Sequence, residues 1–350
     1  MHIEFLRLQE LGSSLEGEIV SFLDSQDASH PFQFPPWSRV ENQSGYSETY
    51  CALLHDCSGI RWFALCGVMY PASRFLRPIR ALTISRGPVC DELELMNYGL
   101  SELAEKSRRL RFAYIEITPE WLGGRAESLS AGLSRIGWRV SQERRSSLRL
   151  NLRREPHELL ASFRKATRYE IKRSERQGVT VSPASNETEI DGFLGIYYEM
   201  ARRKFFSPDQ REHMRNVLYR ALKEPDRGAL LVAYHEGKLL GGAFICRAGR
   251  RCWYVWGAAA NDDPVNVGHL VQWRSILWAK QHGCEEYDFG GYRQGVSSGP
   301  AFFKRGFCDN VVDFLPAHRY PVVPMLCGIS NFISAREVGL LHGRSRREPK

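Results

Sequence analysis

The chain has 350 residues and a formal net charge of +8, from 48 Lys and Arg against 40 Asp and Glu. Hydrophobic residues make up 43% and charged residues 25%, which is typical of a globular protein and excludes a disordered or fibrous chain. This length favours two domains. The moderate basic excess is compatible with RNA, a nucleotide or an anionic membrane surface as a partner.

The sequence also limits the compartment and the use of metals. No run of 18 or more apolar residues occurs, so no membrane span is predicted. The first twenty residues carry acids where a signal peptide would need a basic and then an apolar stretch, so we expect a cytoplasmic protein. The nine cysteines form no Cys-x-x-Cys pair and have no accompanying His cluster, which favours reduced, mostly buried thiols and no metal site.

Strands and helices alternate in the first half of the chain. The patterns predict strands over 47–56, 61–69, 80–86 and 112–119. They predict helices over 91–109, capped by Asp91, and over 123–136, ended by Gly137.

The second half repeats this order. A long basic helix is predicted over 156–177, followed by helices over 188–204 and 208–223, a three-stranded meander, a helix over 267–282 and a strand over 284–289. The repetition predicts two related α/β domains, each a mixed sheet flanked by helices, with a cleft between or along them. Their expected bounds are 1–155 and 156–320, and a basic C-terminal extension over 321–350 is expected to fray.

The densest charge lies between residues 164 and 176, where six basic residues accompany two acidic ones. Arg164, Arg168, Lys172 and Arg176 follow one another at i, i+4 and form one basic ridge. A solvated helix face and a binding surface for a phosphate-rich partner are the two interpretations. Arg203, near the end of a later helix, either complements the helix dipole or binds a phosphate or carboxylate.

The stretch 287–307 carries the strongest indication of chemistry. Gly290 and Gly291 follow a strand, and paired glycines there let the backbone approach a ligand closely. Lys304 lies between aromatic residues, and a partly desolvated cation stabilises developing negative charge strongly. A solvated lysine in a flexible loop is the alternative. Nucleophile-elbow, zinc-protease and P-loop motifs are absent, and His269 and Asp288 are interpreted as structural.

Several short segments follow one another in a recognisable order over about 30–315. They are Phe32-Gln33 with Trp37, 85–89, 177–179, 201–203, 254–257, 278–280 with Gly283, 287–291 and 303–307. Taken in order, these residues resemble the FemABX aminoacyltransferases, whose two domains are both folded like GNAT acetyltransferases. The long helical arm that some members insert in their second domain has no counterpart here.

The resemblance implies amide-bond formation between an aminoacyl-tRNA donor and an amine acceptor, either a cell-wall precursor or a small-molecule or peptide natural product. It implies no cofactor, and it assigns catalysis to Lys304 and Phe303, with Lys304 steadying the acyl carbonyl or the tRNA end. Substrate-binding positions are Arg39, Arg203, Tyr254, Trp256, Gly290, Gly291, Tyr292 and Gly306. The basic ridge is the expected tRNA-binding surface. Thr118-Pro119 departs from the family pattern, and no general base is assigned.

Two other functions remain open at this point. An acyl-CoA-dependent GNAT-type N-acyltransferase would need a glycine-rich helix start to bind pyrophosphate, but residues 261–273 hold one glycine, Gly268, and two acids. A non-catalytic RNA-binding module would explain the charge but not the glycine pair beside Lys304. The sequence does not fix the oligomeric state, and we expect a monomer.

Overall fold

The computed structural model describes residues 2–38, 48–70, 79–141, 145–260, 265–295 and 298–327. The internal contacts divide the chain into two compact units. The first consists of Met1–Phe22, Gly45–Arg144 and Leu315–Lys350, and the second of Leu23–Ser44 and Arg145–Phe314. The sequence-based bounds at 155/156 and 320/321 differ from this division, because residues 145–155 belong to the second unit and residues from Leu315 onward to the first.

The helices alternate with strands along the chain. The helices are α1 (Ser13–Ser25), α2 (Pro35–Ser38), α3 (Leu93–Arg109), α4 (Gly123–Arg135), α5 (Pro156–Ser162), α6 (Lys165–Arg176), α7 (Glu187–Lys204), α8 (Arg211–Lys223), α9 (Gly268–Gln281) and α10 (Gly299–Arg305). The strands are β1 (Glu4–Arg7), β2 (Glu48–Asp56), β3 (Gly59–Met69), β4 (Ala81–Ile84), β5 (Tyr114–Ile117), β6 (Arg139–Val140), β7 (Ser146–Asn151), β8 (Thr180–Pro183), β9 (Gly228–His235), β10 (Lys238–Ala248), β11 (Arg251–Ala259), β12 (Glu286–Tyr292), β13 (Val311–Asp313) and β14 (His318–Pro321).

Each unit contains one seven-stranded mixed sheet. The first sheet has the order β1-β2-β3-β4-β5-β14-β6, and the second, read from its other edge, has the order β8-β9-β10-β11-β12-β7-β13. In both sheets the fourth and fifth strands are parallel and every other described pair is antiparallel. In each case the chain forms a helix between the two parallel strands, α3 between β4 and β5 and α9 between β11 and β12. The two sheets therefore share the same strand order and strand directions, which confirms the predicted fold class. The sixth strand of each sheet, β14 in the first and β7 in the second, comes from the other half of the chain.

Two predicted helix details are wrong. The single basic helix expected over 156–177 is two helices, because Phe163 and Arg164 adopt extended backbone conformations between α5 and α6. The break buries the Phe163 ring at 5.1 Å from Phe307 and 5.5 Å from Trp273. Asp91 does not cap α3, which begins at Leu93; its carboxylate lies 3.7 Å from the guanidinium of Arg125 instead.

The core of the second unit holds the elements around the glycine pair. Its buried residues come from α5, α6, α9 and the central strands of the sheet, and those on β12 and α9 include Phe289, Tyr287 and Ile276. The nine cysteines are free thiols and seven of them are buried, as expected. Within the described parts of the chain, no helix combines the length and apolarity needed to cross a bilayer.

Candidate active site

The candidate site lies where the two parallel strands of the second sheet part. Strands β11 and β12 are paired from Arg251 and Glu286 to Trp253 and Asp288, and no paired register continues beyond those residues. In α/β sheets, ligands bind in the crevice beyond the carboxyl ends of the strands, where neighbouring strands diverge. The next residues along the two strands are therefore well placed to contact a substrate.

Gly290 makes a turn at this point that other residues would not adopt readily. Its φ angle is +70°, in the region where a side chain is strained. A Cβ atom there would also lie 3.1 Å from the carbonyl oxygen of Tyr254 on the neighbouring strand. The glycine pair predicted from the sequence therefore turns the backbone so that consecutive carbonyl groups are available to a cation.

Lys304 is that cation. Helix α10 begins with Ser298 as its N-cap, whose hydroxyl accepts a hydrogen bond from the Ala301 amide at 3.3 Å. This short helix places the Lys304 Nζ 2.9 Å from the Gly291 carbonyl oxygen and 3.3 Å from that of Gly290. The half-buried ammonium also lies 6.0 Å from the centre of the Tyr254 ring. Lys304 is therefore fixed by main-chain acceptors rather than solvated.

Burial changes the titration of Lys304. Desolvation lowers the pKa of its ammonium from 10.5 to about 8, against the opposing attraction of the Asp288 carboxylate. At neutral pH the side chain is still mostly a cation. An ammonium in a water-poor setting interacts more strongly with developing negative charge than one in bulk water.

A buried polar network holds the Gly290 turn. The Asp288 Oδ1 atom accepts hydrogen bonds from the Gly290 amide at 2.8 Å and from the Ser147 hydroxyl, and Asp288 Oδ2 accepts one from Arg149 Nε at 2.9 Å. The Ser147 hydroxyl also lies 3.0 Å from the Gly290 carbonyl oxygen. The side chains of Arg149 and Asp288 are only 3% and 2% exposed. The network therefore fixes both the amide and the carbonyl group of Gly290, and that carbonyl holds Lys304.

A cavity of about 260 Å³ lies beside this turn. Phe303 and Tyr254 form part of its wall, and Arg203 and Lys204 at the end of α7 supply cationic groups. The described residues that line it include no carboxylate. They are Met200, Arg203, Lys204, Gly242, Ala243, Tyr254, Gly257, Ala258, Ala259, Ala260, Gly268, Val271, Gln272 and Phe303. The cavity thus combines apolar walls with groups that attract a phosphate, a carboxylate or a carbonyl oxygen.

The predicted substrate position Trp256 does not line this cavity. Trp256 is on the opposite face of the sheet from Tyr254, because β11 has an extra residue, Val255, between the partners of Phe244 and Ile245. Its ring stacks on Phe244 at 5.3 Å, and its indole nitrogen donates to Asp209 at 2.9 Å. Arg39 lies outside the described residues.

Tyr292 and Gly306 support neighbouring elements. The buried Tyr292 accepts a hydrogen bond at 3.4 Å from Arg305. Gly306 follows α10, and a Cβ there would lie 2.3 Å from the hydroxyl oxygen of Thr167 on α6. Its carbonyl accepts a hydrogen bond from the Arg164 amide at 2.9 Å. Gly306 therefore lets α10 pack closely against the start of α6.

The basic ridge lies on the surface of α6. Arg164, Lys172 and Arg176 are exposed, whereas Arg168 is half-buried. The Arg168 guanidinium donates to the carbonyl oxygens of Ala161, at 2.9 Å, and of Phe163, where the chain breaks between the helices. Part of the ridge thus has a structural role, and its other members project outward.

The start of α9 offers little to a pyrophosphate. The Gly268 amide donates to the side-chain oxygen of Asn266 at 3.2 Å, which occupies a group that would otherwise face a ligand. The neighbouring His269 packs against Phe303 at 4.9 Å, and burial lowers its pKa. Among the described residues, no group of three or more His, Cys, Asp or Glu side chains could hold a metal ion.

Sequence reasoning missed the members of the network other than Asp288. Ser147 and Arg149 lie on β7, about 140 positions before the turn in the chain, and they reach it because β7 pairs with β12. Nothing in the local sequence around either residue indicates that pairing. The alternation Ser147-Leu148-Arg149-Leu150 instead suggests a strand with one solvated face, so it gives no sign that Arg149 meets a buried acid.

Part of the chain is similar to known transferases. Residues 161–305 match the family of acetyltransferase (GNAT) domains. A segment of 125 residues is 31% identical to UDP-N-acetylmuramoylpentapeptide-lysine N(6)-alanyltransferase of Weissella viridescens. That alignment covers 36% of the chain and 37% of the relative, so the match spans little more than a third of the curated relative's length.

The likeness to solved structures extends over nearly the whole chain. The crystal structure of FemX superposes with a TM-score of 0.81 and 16% identity, over 94% of this chain and 99% of that one. A tandem GNAT protein from the clavulanic acid biosynthesis pathway superposes with a TM-score of 0.53 and 8% identity, over 92% and 99% of the two chains. At such identities the likeness concerns the fold. Together with the sequence matches, it confirms the resemblance inferred from the sequence.

Proposed function

We propose that this chain, which is similar to the Fem-type aminoacyltransferases and has tandem GNAT-like domains, transfers an aminoacyl group from tRNA to an amine. The amine nitrogen attacks the ester carbonyl of the aminoacyl-tRNA and forms an amide bond. The ester bond breaks, the ribose oxygen leaves, and the proton lost by the amine passes to that oxygen or to water. The observation that carries this proposal is the Lys304 ammonium, which is held by the Gly290 and Gly291 carbonyls and lies 6.0 Å from the centre of the ring of Tyr254, a residue that lines the cavity.

The site suits a reaction that needs charge stabilisation more than proton removal. An aminoacyl ester is already activated, so an enzyme has to orient the amine and stabilise the tetrahedral oxyanion. Lys304 offers the cation for that oxyanion, and Phe303 supplies a wall of the cavity. The described residues lining the cavity include no carboxylate that could act as a general base. A neutral acceptor amine needs none.

Two features favour tRNA over acyl-CoA as the donor. The start of α9 has its Gly268 amide bonded to Asn266 and a desolvated His269 beside it, which is a poor setting for a pyrophosphate. The surface of α6, by contrast, carries an excess of cations suited to a polynucleotide. We therefore assign aminoacyl-tRNA as the donor. Because charged tRNA is found in the cytoplasm, we also propose a cytoplasmic location.

The alanyltransferase of Weissella viridescens is named for the side-chain nitrogen of a lysine in a UDP-linked muropeptide. By analogy, we propose that a lysine amine of such a muropeptide is the acceptor. Arg203 and Lys204 line the cavity and would pair with phosphate or carboxylate groups of such a precursor. Assignments of Arg39 and Trp256 to acceptor binding stay predictions.

The donor can be tested directly. The protein is incubated with a UDP-linked muropeptide that contains lysine, and with either a pool of charged tRNAs, a pool of acyl-CoA thioesters, or neither. We expect mass spectrometry to detect an aminoacyl adduct on the muropeptide amine only with charged tRNA, and its loss after ribonuclease treatment of that pool. Acylation by the CoA pool alone would establish the GNAT-type N-acyltransferase instead.

A further inference from the structure

Two exposed aromatic rings lie on or against the basic helix α6. Phe302 on α10 is 72% exposed, and its ring centre lies 5.7 Å from the guanidinium carbon of Arg164. Tyr169 on α6 is 55% exposed, between Lys165 and Arg173 on the same helix face, four positions to either side. Exposed aromatic rings next to a row of cations are the combination with which proteins bind ligands that carry both flat bases and phosphates.

The exposure of Phe302 does not follow from the packing of α10. Its neighbour Phe303 packs on His269 at 4.9 Å and on Phe307 at 5.3 Å, and Lys304 turns toward the glycine pair. Phe302 alone among these three side chains points away from the core. It therefore links the outer surface of α6 with the element that carries Lys304.

The charges around the two rings are mostly unneutralised. Of the two acids on α6, Glu170 lies 3.9 Å from Arg173, and Glu175 lies 3.2 Å from Arg274 on α9. Asp309 is 3.5 Å from Arg164. Among the described ion pairs none involves Lys165, Arg168, Lys172 or Arg176. The surface thus keeps cations beside both aromatic faces.

We propose that α6 and Phe302 bind the unpaired nucleotides at the 3′ end of the donor tRNA. This rests on the proposed function and names the part of the donor that this surface recognises. The bases would stack on Phe302 and Tyr169 while the ridge contacts the phosphates, which is how proteins hold single-stranded nucleic acid. Bases within a duplex are already stacked on one another and leave no face for an aromatic ring.

The order of residues on α10 agrees with this assignment. An aminoacyl ester is carried on the last ribose, so the terminal nucleotide must come close to Lys304 and the preceding nucleotides must lead outward. Phe302 lies two residues before Lys304 and contacts Arg164 at the start of α6. A strand that follows the ridge toward the cavity would therefore pass over Phe302 before its end reaches Lys304.

Binding of short RNAs tests the proposal. The probes are a fluorescent single-stranded RNA ending in CCA and a blunt RNA hairpin of the same length, both long enough for the hairpin to form a stable stem. We expect the full chain to prefer the single strand, and Phe302→Ala to weaken its binding about 10-fold, within the range of one lost stacking contact. Phe302→Trp should retain binding. The exposed Met325→Ala, in the first unit, is the matched control and should change nothing.

The salt dependence separates stacking from charge. Phe302→Ala should leave the slope of log affinity against log salt unchanged, whereas Lys172→Ala should reduce its magnitude by about 0.7. Equal affinity for hairpin and single strand, or an unchanged affinity in Phe302→Ala, would overturn the proposal. Aminoacyl transfer from full-length charged tRNA distinguishes a failure of this inference from a failure of the proposed function. A normal kcat/KM for transfer by Phe302→Ala would refute this inference alone. The absence of transfer by the wild type would refute the proposed function.

Discussion

Lys304→Met is expected to lower kcat for aminoacyl transfer by about 100- to 1000-fold, the cost of losing one donor to a developing oxyanion. KM should change little, because the ammonium interacts most strongly with the charge that forms in the transition state. Lys304→Arg should restore part of the rate, since a planar guanidinium cannot occupy the place of a compact ammonium between the Gly290 and Gly291 carbonyls. Steady-state kinetics with charged tRNA and the muropeptide measure both constants.

Lys280 provides the matched control for this variant. It is another half-buried lysine of the second unit, and its ammonium also donates to a main-chain carbonyl, that of Leu152 at 3.1 Å. It lies near the end of α9, and its acceptor is Leu152 rather than a carbonyl of the Gly290 turn. Lys280→Met should therefore leave kcat within a few-fold of the wild type. If Lys304→Met kept a kcat near that of the wild type, Lys304 would have no part in the chemistry.

Asp288→Asn is expected to destabilise the second unit by about 3 kcal/mol. The substitution leaves the Arg149 guanidinium, 3% exposed, without the carboxylate that accepts from its Nε, and removal of one partner of a buried ion pair typically costs about 3–5 kcal/mol. The Glu286 carboxylate, at 3.7 Å from Arg149, offsets part of that loss. Urea denaturation followed by tryptophan fluorescence gives the change in the free energy of unfolding.

An exposed ion pair near the start of β12 serves as the comparison. Glu285 lies 2.6 Å from Arg153 and 3.2 Å from Arg250, whose side chains are both largely in solvent, and pairs of this kind contribute little to stability. Glu285→Gln should therefore leave the urea midpoint close to that of the wild type. Equal midpoints for Glu285→Gln and Asp288→Asn would contradict the assignment of a structural role to the Asp288–Arg149 pair.

The sequence allowed the repeated architecture to be predicted because its causes are local. Each strand and helix has its own apolar pattern, and the order of three strands, a helix and a further strand recurs in both halves of the chain. The turn at Gly290 and Gly291 was predicted for the same reason, since only a short segment determines it. The lysine that follows it was recognisable from its aromatic neighbours.

Features that depend on distant contacts could not be predicted. The break at Phe163 arises because Trp273 and Phe307 bury its ring, although the helical pattern runs through that residue. Trp256 leaves the face of Tyr254 because of one extra residue in β11, which shifts every later side chain to the other side. The Asp288 network needs β7, whose pairing with β12 has no local signal.

The most direct test of the central claim, that Lys304 acts as a cation, is the pH dependence of its contribution. Wild type and Lys304→Arg are compared by kcat/KM between about pH 6 and 10, so that titration of the acceptor amine cancels in their ratio. The arginine stays charged throughout, whereas the Lys304 ammonium, with its pKa lowered to about 8, loses its proton. The ratio of wild type to variant should therefore fall as the pH rises through about 8. A ratio that rises through the same pH would mean that neutral Lys304 is the active form and would contradict the account.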